Sequence, residues 1–236
     1  MIGVMDSGLG GLLLLESIHK SHPDTDVLFY GDIEHMPYGD KSDEELKAIF
    51  EKIVLFFRKR HCTDLIVACN TMCSAIDFTK DYGLIVHDII TKTVSQVDVP
   101  NDKKILVLST TYTKMRGRYR DELEKRGYDV LSVSLPKLAL MIEKGEERNV
   151  VIKMLLKELE DIDKDQIGAI VLGCTHYPVY KDFFKEYYDV PVFDSRDLTF
   201  SIEDKKEEGA IILHAPKTKI TENLMKHCVK ASYRYD

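Results

Sequence analysis

Short apolar runs rich in β-branched residues alternate with longer amphipathic stretches through most of the chain. The runs are Ile2–Met5, Val27–Tyr30, Leu65–Ala68, Leu84–Val86, Ile105–Leu108, Val130–Val133, Ala169–Leu172, Val190–Phe193 and Ala210–Leu213, each of strand length. Between them, Asp43–Arg60 places Leu46, Ile49, Phe50, Ile53, Val54 and Phe57 on one helical stripe. Leu12–Lys20, Thr113–Arg126 and Arg148–Leu159 read as helices as well. Strands separated by helical segments build βαβ units, so the pattern predicts an α/β fold with parallel sheets flanked by helices. Gly, Pro, Ser and Asp cluster just after the strands, the edge where such a sheet carries its ligand-binding turns.

The first half of the chain recurs in the second. A displacement of 103 positions carries Val4–Ser7 onto Val107–Thr110 and Asp26–Leu28 onto Asp129–Leu131. With two more residues inserted, Ile66–Val67 falls on the run from Ile170 to Leu172, and Cys69 meets Cys174 at an offset of 105. Internal similarity at half the chain length predicts two α/β lobes of like topology, related by a pseudo-twofold, with the site in the cleft between them. Val97–Lys104 is the expected crossing and Ser195–Ser201 the expected return. That assigns residues 1–97 plus 200–236 to lobe I and 98–199 to lobe II. A helix and the strand Gly209–His214 would rejoin lobe I, and the tail Ala231–Asp236, with little pattern, is expected to fray.

Composition narrows the function classes. The 236 residues are 44% hydrophobic and 31% charged, which excludes a disordered or fibrous chain. No apolar run approaches the ~18 residues of a membrane span. The start, MIGVMDSGLGG, lacks the basic segment and cleavage site of a secretory leader. A net charge of −7 argues against a nucleic-acid surface. The five cysteines are an odd number thinly spread, which suits reduced thiols in a cytoplasm rather than a disulfide scaffold.

Two of those thiols stand apart. Cys69 and Cys174 each follow an apolar strand directly and precede polar Asn70-Thr71 and Thr175-His176. A thiol at that edge, opening a helix, meets backbone N–H donors and the positive end of the helix dipole, so a lowered pKa is expected. Two thiols facing one cleft from opposite lobes are what removal of a proton from one face of a carbon and its return to the other require. Asp6 and His176, at strand ends of opposite lobes, are the candidate partners for proton relay. Other readings stay open. Cys62, Cys73 and Cys228 fit small buried apolar side chains. Cys69, Cys73, Cys174 and His176 could hold zinc, although only Cys69-x₃-Cys73 has suitable spacing. A redox disulfide lacks its Cys-x-x-Cys.

Polar turns surround these positions. Asp6-Ser7-Gly8-Leu9-Gly10-Gly11 joins the first strand to the first helix. Its glycines let backbone N–H groups approach an anion, but it is no dinucleotide fingerprint, and Asp6 would repel phosphate. A carboxylate beside N–H donors suits a zwitterion such as an amino acid. Pro37-Tyr38-Gly39 reads as a tight turn at the same edge. The hydroxyls of Ser109–Thr113 can cap a helix or bind a carboxylate.

With these residues in view, the chain resembles the glutamate racemases of the cofactor-independent aspartate/glutamate racemase superfamily. The motifs that carry the likeness are DSGLGG at Asp6–Gly11, PYG with Lys41-Ser42, CNT at Cys69–Thr71, GCTHYP at Gly173–Pro178 and Asp194-Ser195. The resemblance implies interconversion of L- and D-glutamate, supplying D-glutamate for peptidoglycan, with neither pyridoxal phosphate nor metal. It implies Cys69 and Cys174 as the catalytic thiols, with Asp6 and His176 assisting. It also implies Asp6, Ser7, Pro37, Tyr38, Gly39, Asn70, Thr71, Thr110, Thr113 and Thr175 as substrate contacts, and Glu143 near the site. The expected partner is a small amino acid, with no nucleic acid or membrane, and a homodimer is the candidate assembly. The chain departs from the family pattern at Met72-Cys73, at His35-Met36 and over Ile85–Ile90. Two alternatives stand beside glutamate racemisation: a racemase of another acidic amino acid such as aspartate, and a non-catalytic amino-acid-binding regulator.

Overall fold

The computed structural model describes residues 1–200, 210–215 and 233–235. The apolar runs form strands β1 (Ile2–Asp6), β2 (Val27–Gly31), β3 (Asp64–Val67), β4 (Ile85–Asp88), β5 (Lys104–Ser109), β6 (Val130–Ser134), β7 (Ile167–Gly173), β8 (Val192–Phe193) and β9 (Ile211–His214). The tail contributes β10 (Tyr233–Tyr235), which pairs in parallel with β9. The expectation that this tail frays is therefore corrected for those residues. The helix expected before Gly209, and Cys228, lie outside the described residues.

The helices in chain order are α1 (Leu12–Ser21), α2 (Asp43–Lys59), α3 (Asn70–Ala75), α4 (Ile89–Ser95), α5 (Thr111–Arg116), α6 (Arg118–Glu124), α7 (Leu138–Lys144), α8 (Arg148–Glu158) and α9 (Lys181–Tyr188). The single helix expected over Thr113–Arg126 is instead α5 and α6, broken at Gly117 with φ 72°. Glycine adopts that left-handed conformation without a Cβ penalty and so ends α5 cleanly. Helix α2 starts at a capping box in which Ser42 accepts from the Glu45 amide and Glu45 returns the bond. Its six-residue apolar stripe is buried as the spacing predicts, and a Cβ on Gly3 would come within 2.6 Å of the Phe57 ring. The helix therefore lies directly on β1.

Two parallel sheets result, ordered β10-β9-β2-β1-β3-β4 and β6-β5-β7-β8. The second repeats the order β2-β1-β3-β4 of the first. Registers repeat too: Ile2 pairs with Val27, and Ile105 with Val130. They also sharpen the internal alignment. Val4 pairs with Ile66, and Val107 with Val171, so the counterpart of Ile66 is Val171 and not Ile170. Gly168 is left over where the β5–β7 register shifts, and supplies one of the extra residues. At this register Cys69 and Cys174 are true counterparts, each two positions beyond the paired residues Val67 and Leu172. The sheets are joined by α3 packing on α5 and α4 on α6. Arg118 on α6 spans this junction, ion-paired to Asp88 at 2.6 Å and donating to the Cys73 carbonyl. No helix of the described residues is long and apolar enough to cross a membrane.

Candidate active site

The residues that follow β1, β3, β5 and β7 converge on one cavity of about 530 Å³. Ser7, Cys69, Thr110 and Cys174 line it, because parallel strands present their carboxyl ends to the same side. Pro37, Tyr38, Gly39, Asn70, Thr71, Glu143, Thr175 and His176 complete the sequence-derived set on its wall. Asp6 and Thr113 sit one layer behind. Asp6 is fully buried, accepting from the Gly11 amide at 2.9 Å and facing the Thr175 hydroxyl at 3.4 and 3.5 Å. Thr113 accepts from Thr110 Oγ1 at 3.0 Å, and Thr110 lies 3.2 Å from Thr71 across the cleft.

The two thiols have different neighbours. Cys69 caps α3, its sulfur 3.5 Å from the Met72 amide and 3.4 Å from the Ser7 hydroxyl. The lowered pKa expected from the sequence does not result, because the pull of the Met72 N–H is outweighed. Burial, reinforced by the charge of Asp6, pushes the thiol up to about 12. Cys174 instead faces His176 Nδ1 at 3.8 Å, and His176 Nε2 lies 2.8 Å from Glu143 Oε1. Burial opposes the charged imidazole, yet Cys174 and Glu143 together hold its pKa well above the ordinary histidine value. Burial also raises Asp6, against the opposing charge of His176.

Backbone packing brings this cluster together. A Cβ on Gly8 would lie 2.6 Å from Glu143 Oε1, and one on Gly10 would strike Thr175 Oγ1 and reach 2.6 Å from His176 Nδ1. The glycine-rich turn of the first sheet thus presses on the relay of the second. The Pro37–Gly39 wall is fixed from behind, where the buried Tyr38 hydroxyl donates to Asp32 at 2.6 Å and Asp32 also binds His35 Nδ1 at 2.7 Å.

The lining also includes residues outside the set that the resemblance implied. Met36, Pro136, Ala139 and Leu140 add apolar lining, and Asp40, Thr111 and Tyr112 also line the cavity. Ala139 and Leu140 precede Glu143 by one helical turn, so their spacing carried the signal. Tyr112 donates to Asp43 Oδ1 at 2.5 Å, and Arg116 pairs with the same carboxylate at 3.0 Å; this bridge between the sheets had no local signature. Among the described residues no group of three His, Cys, Asp or Glu is arranged to hold a metal ion. Cys73 donates to the Val67 carbonyl, and Cys62, Cys69, Cys73 and Cys174 are free thiols.

The sequence matches the Asp/Glu/hydantoin racemase family over residues 5–201. It is 34% identical over 189 residues to glutamate racemase 3 of Caldanaerobacter subterraneus subsp. tengcongensis, covering 78% of this chain and 69% of that protein. The structure is similar to a glutamate racemase isoform from Bacillus anthracis, with a TM-score of 0.89, 25% identity, and 100% and 97% of the two chains covered. It is also similar to the Francisella tularensis subsp. tularensis glutamate racemase in complex with D-glutamate, with a TM-score of 0.84, 26% identity and coverage of 100% and 95%.

Proposed function

The chain belongs to the Asp/Glu/hydantoin racemase family, and from that premise we propose that it interconverts L- and D-glutamate by a two-thiol acid–base mechanism. One observation supports this above the others: Cys69 and Cys174 occupy equivalent steps of the four-strand order that the two sheets share, and line one cavity. One sulfur, as thiolate, takes the α-proton from one face, and the other, as thiol, delivers a proton to the opposite face. The roles reverse for the other enantiomer. Asp6 and His176 assist, His176 by direct contact with Cys174, Asp6 through Thr175.

The cavity lining contains no Lys or Arg among the described residues. The carboxylates of glutamate would therefore be held by neutral donors: the hydroxyls of Ser7, Thr71, Thr110 and Thr175, the Asn70 amide and the backbone of Pro37–Gly39. The ammonium group lies nearer the acids. Its positive charge beside Cys69 favours the thiolate that burial disfavours. The D-glutamate formed serves peptidoglycan synthesis, and the homodimer is the assembly expected in solution.

Circular dichroism of purified protein with L- or D-glutamate, and with aspartate as comparison, tests the reading. Loss of optical activity from both glutamate enantiomers supports it; activity on aspartate alone overturns it. Rescue of a D-glutamate auxotroph tests the cell-wall role, and sedimentation reads the assembly.

A further inference from the structure

We propose that Tyr119 is a positioning residue, setting the side-chain amide of Asn70 so that its N–H₂ group faces the cavity as a carboxylate donor. The inference rests on the amino-acid racemase reading above. Tyr119 lies on α6, in the second-sheet half, and is buried. Its hydroxyl donates to Asn70 Oδ1 at 2.6 Å, across the junction between the sheets. Asn70 is itself 3% exposed and lines the cavity. Its Nδ2 is buried and has no hydrogen-bond partner.

A planar amide presents its oxygen to one side and its two N–H donors to the other. With the oxygen engaged by a phenol hydrogen, the donors are committed to the opposite direction. A buried N–H₂ without an acceptor is costly, and an anionic ligand in the cavity supplies one. Reversed, the amide would turn an oxygen toward a carboxylate, which is repulsive. The same ring packs against the backbone just before the second thiol: a Cβ on Gly173 would lie 2.8 Å from it. Tyr119 thus touches the residue after one cysteine and the residue before the other. Its ring fills space, and its hydroxyl carries the orienting role.

The test separates ring from hydroxyl with Tyr119→Phe, which keeps the packing under Gly173. Glutamate dissociation constants are measured by calorimetry for four proteins, each carrying Cys69→Ser to prevent turnover: the parent, Tyr119→Phe, Asn70→Ala and the double variant. One hydrogen bond's worth of orientation predicts about 5-fold weaker binding for Tyr119→Phe. The double variant should bind no more weakly than Asn70→Ala alone. With both cysteines intact, Tyr119→Phe should raise KM by a similar factor with kcat changed less than about 2-fold. Unaltered affinity in Tyr119→Phe, or the same loss with Asn70 already removed, overturns the inference even where glutamate is racemised. Racemisation is read separately on the unmodified protein, so its absence with coupled binding intact overturns only the activity; failure of the parent to bind glutamate overturns both.

Discussion

Nε2 of His176 lies 2.8 Å from Oε1 of Glu143, with both side chains buried. The imidazole is thereby oriented with its other nitrogen toward the Cys174 sulfur, and Glu143 favours the doubly protonated ring. An imidazolium can donate to a thiolate at Cys174 and stabilise it. His176→Asn should therefore lower kcat/KM for glutamate by about 10²-fold or more, within the range of general acid–base effects. Glu143→Gln should cost less, because it acts through the histidine. Enantiomers have equal free energies, so kcat/KM must fall by the same factor in both directions, while kcat and KM separately can differ. Dichroism progress curves from each enantiomer read both quantities; a His176→Asn enzyme within threefold of the unmodified protein refutes the relay.

The thiols face the cavity from equivalent strand ends of different sheets. Cys69→Ser and Cys174→Ser should each reduce racemisation by at least about 10³-fold, since a serine hydroxyl is a far poorer base than a thiolate. Each variant should still remove an α-proton with its remaining thiol. On glutamate analogues bearing a β leaving group, each should catalyse elimination from one enantiomer only, and the two variants from opposite enantiomers. Undiminished racemisation by Cys69→Ser, or elimination from the same enantiomer by both variants, contradicts the two-thiol mechanism.

Strand positions were legible because apolar runs such as Val27–Tyr30 and Ile105–Leu108 are short, β-branched and bounded by turn residues. The sheet repeat was legible for the same reason, with one slip. The irregularity at Gly168 shifts the register of β7 by a residue; a glycine in a strand permits such a shift but does not specify it. Gly117 looked like one more residue of a helical stretch, whereas it ends α5 locally, its left-handed backbone letting its amide bond the Thr113 and Lys114 carbonyls. At the site, motif residues that follow strands were visible, but the environment of each was not. Cys69 was expected to ionise readily from its cap position. Its burial, which depends on residues far along the chain, outweighs the local donors. Tyr119 and Asp43 were invisible because their partners, Asn70 and Tyr112, lie 49 and 69 residues away in sequence.

Burial of Cys69 links pH to stability. Its pKa rises from about 9 to about 12 on folding. A group whose folded pKa is raised favours the native state least where the unfolded chain has lost the proton and the native state must keep it. Stability is unaffected below about pH 8 and declines between about pH 9 and pH 12, with a limiting slope of ~1.4 kcal/mol per pH unit for one such thiol. Cys69→Ser removes the titration. Melting temperatures of the two proteins measured from pH 7 to pH 10.5 should diverge progressively above pH 9, the unmodified protein falling faster. Parallel curves would show that Cys69 ionises as freely when folded as when unfolded.

Gly10 tests whether the first sheet's turn positions the second sheet's relay. Its φ is not in the left-handed region, so alanine fits the backbone there, and the nearest conflict is with Thr175 Oγ1 and the His176 ring. Relief requires the Thr175 hydroxyl and the imidazole both to shift, since the added carbon meets each of them. Displacing a catalytic group by even an ångström costs about 10²-fold in rate, whereas overpacking of this kind costs about 1–3 kcal/mol in stability. Gly10→Ala should therefore remain folded at 25 °C, with a lowered melting temperature, while kcat falls about 10²-fold. Circular dichroism provides both the melt and the rate on one sample. Full activity in Gly10→Ala would mean that the turn yields instead of His176, and that the close approach does not hold the relay in place.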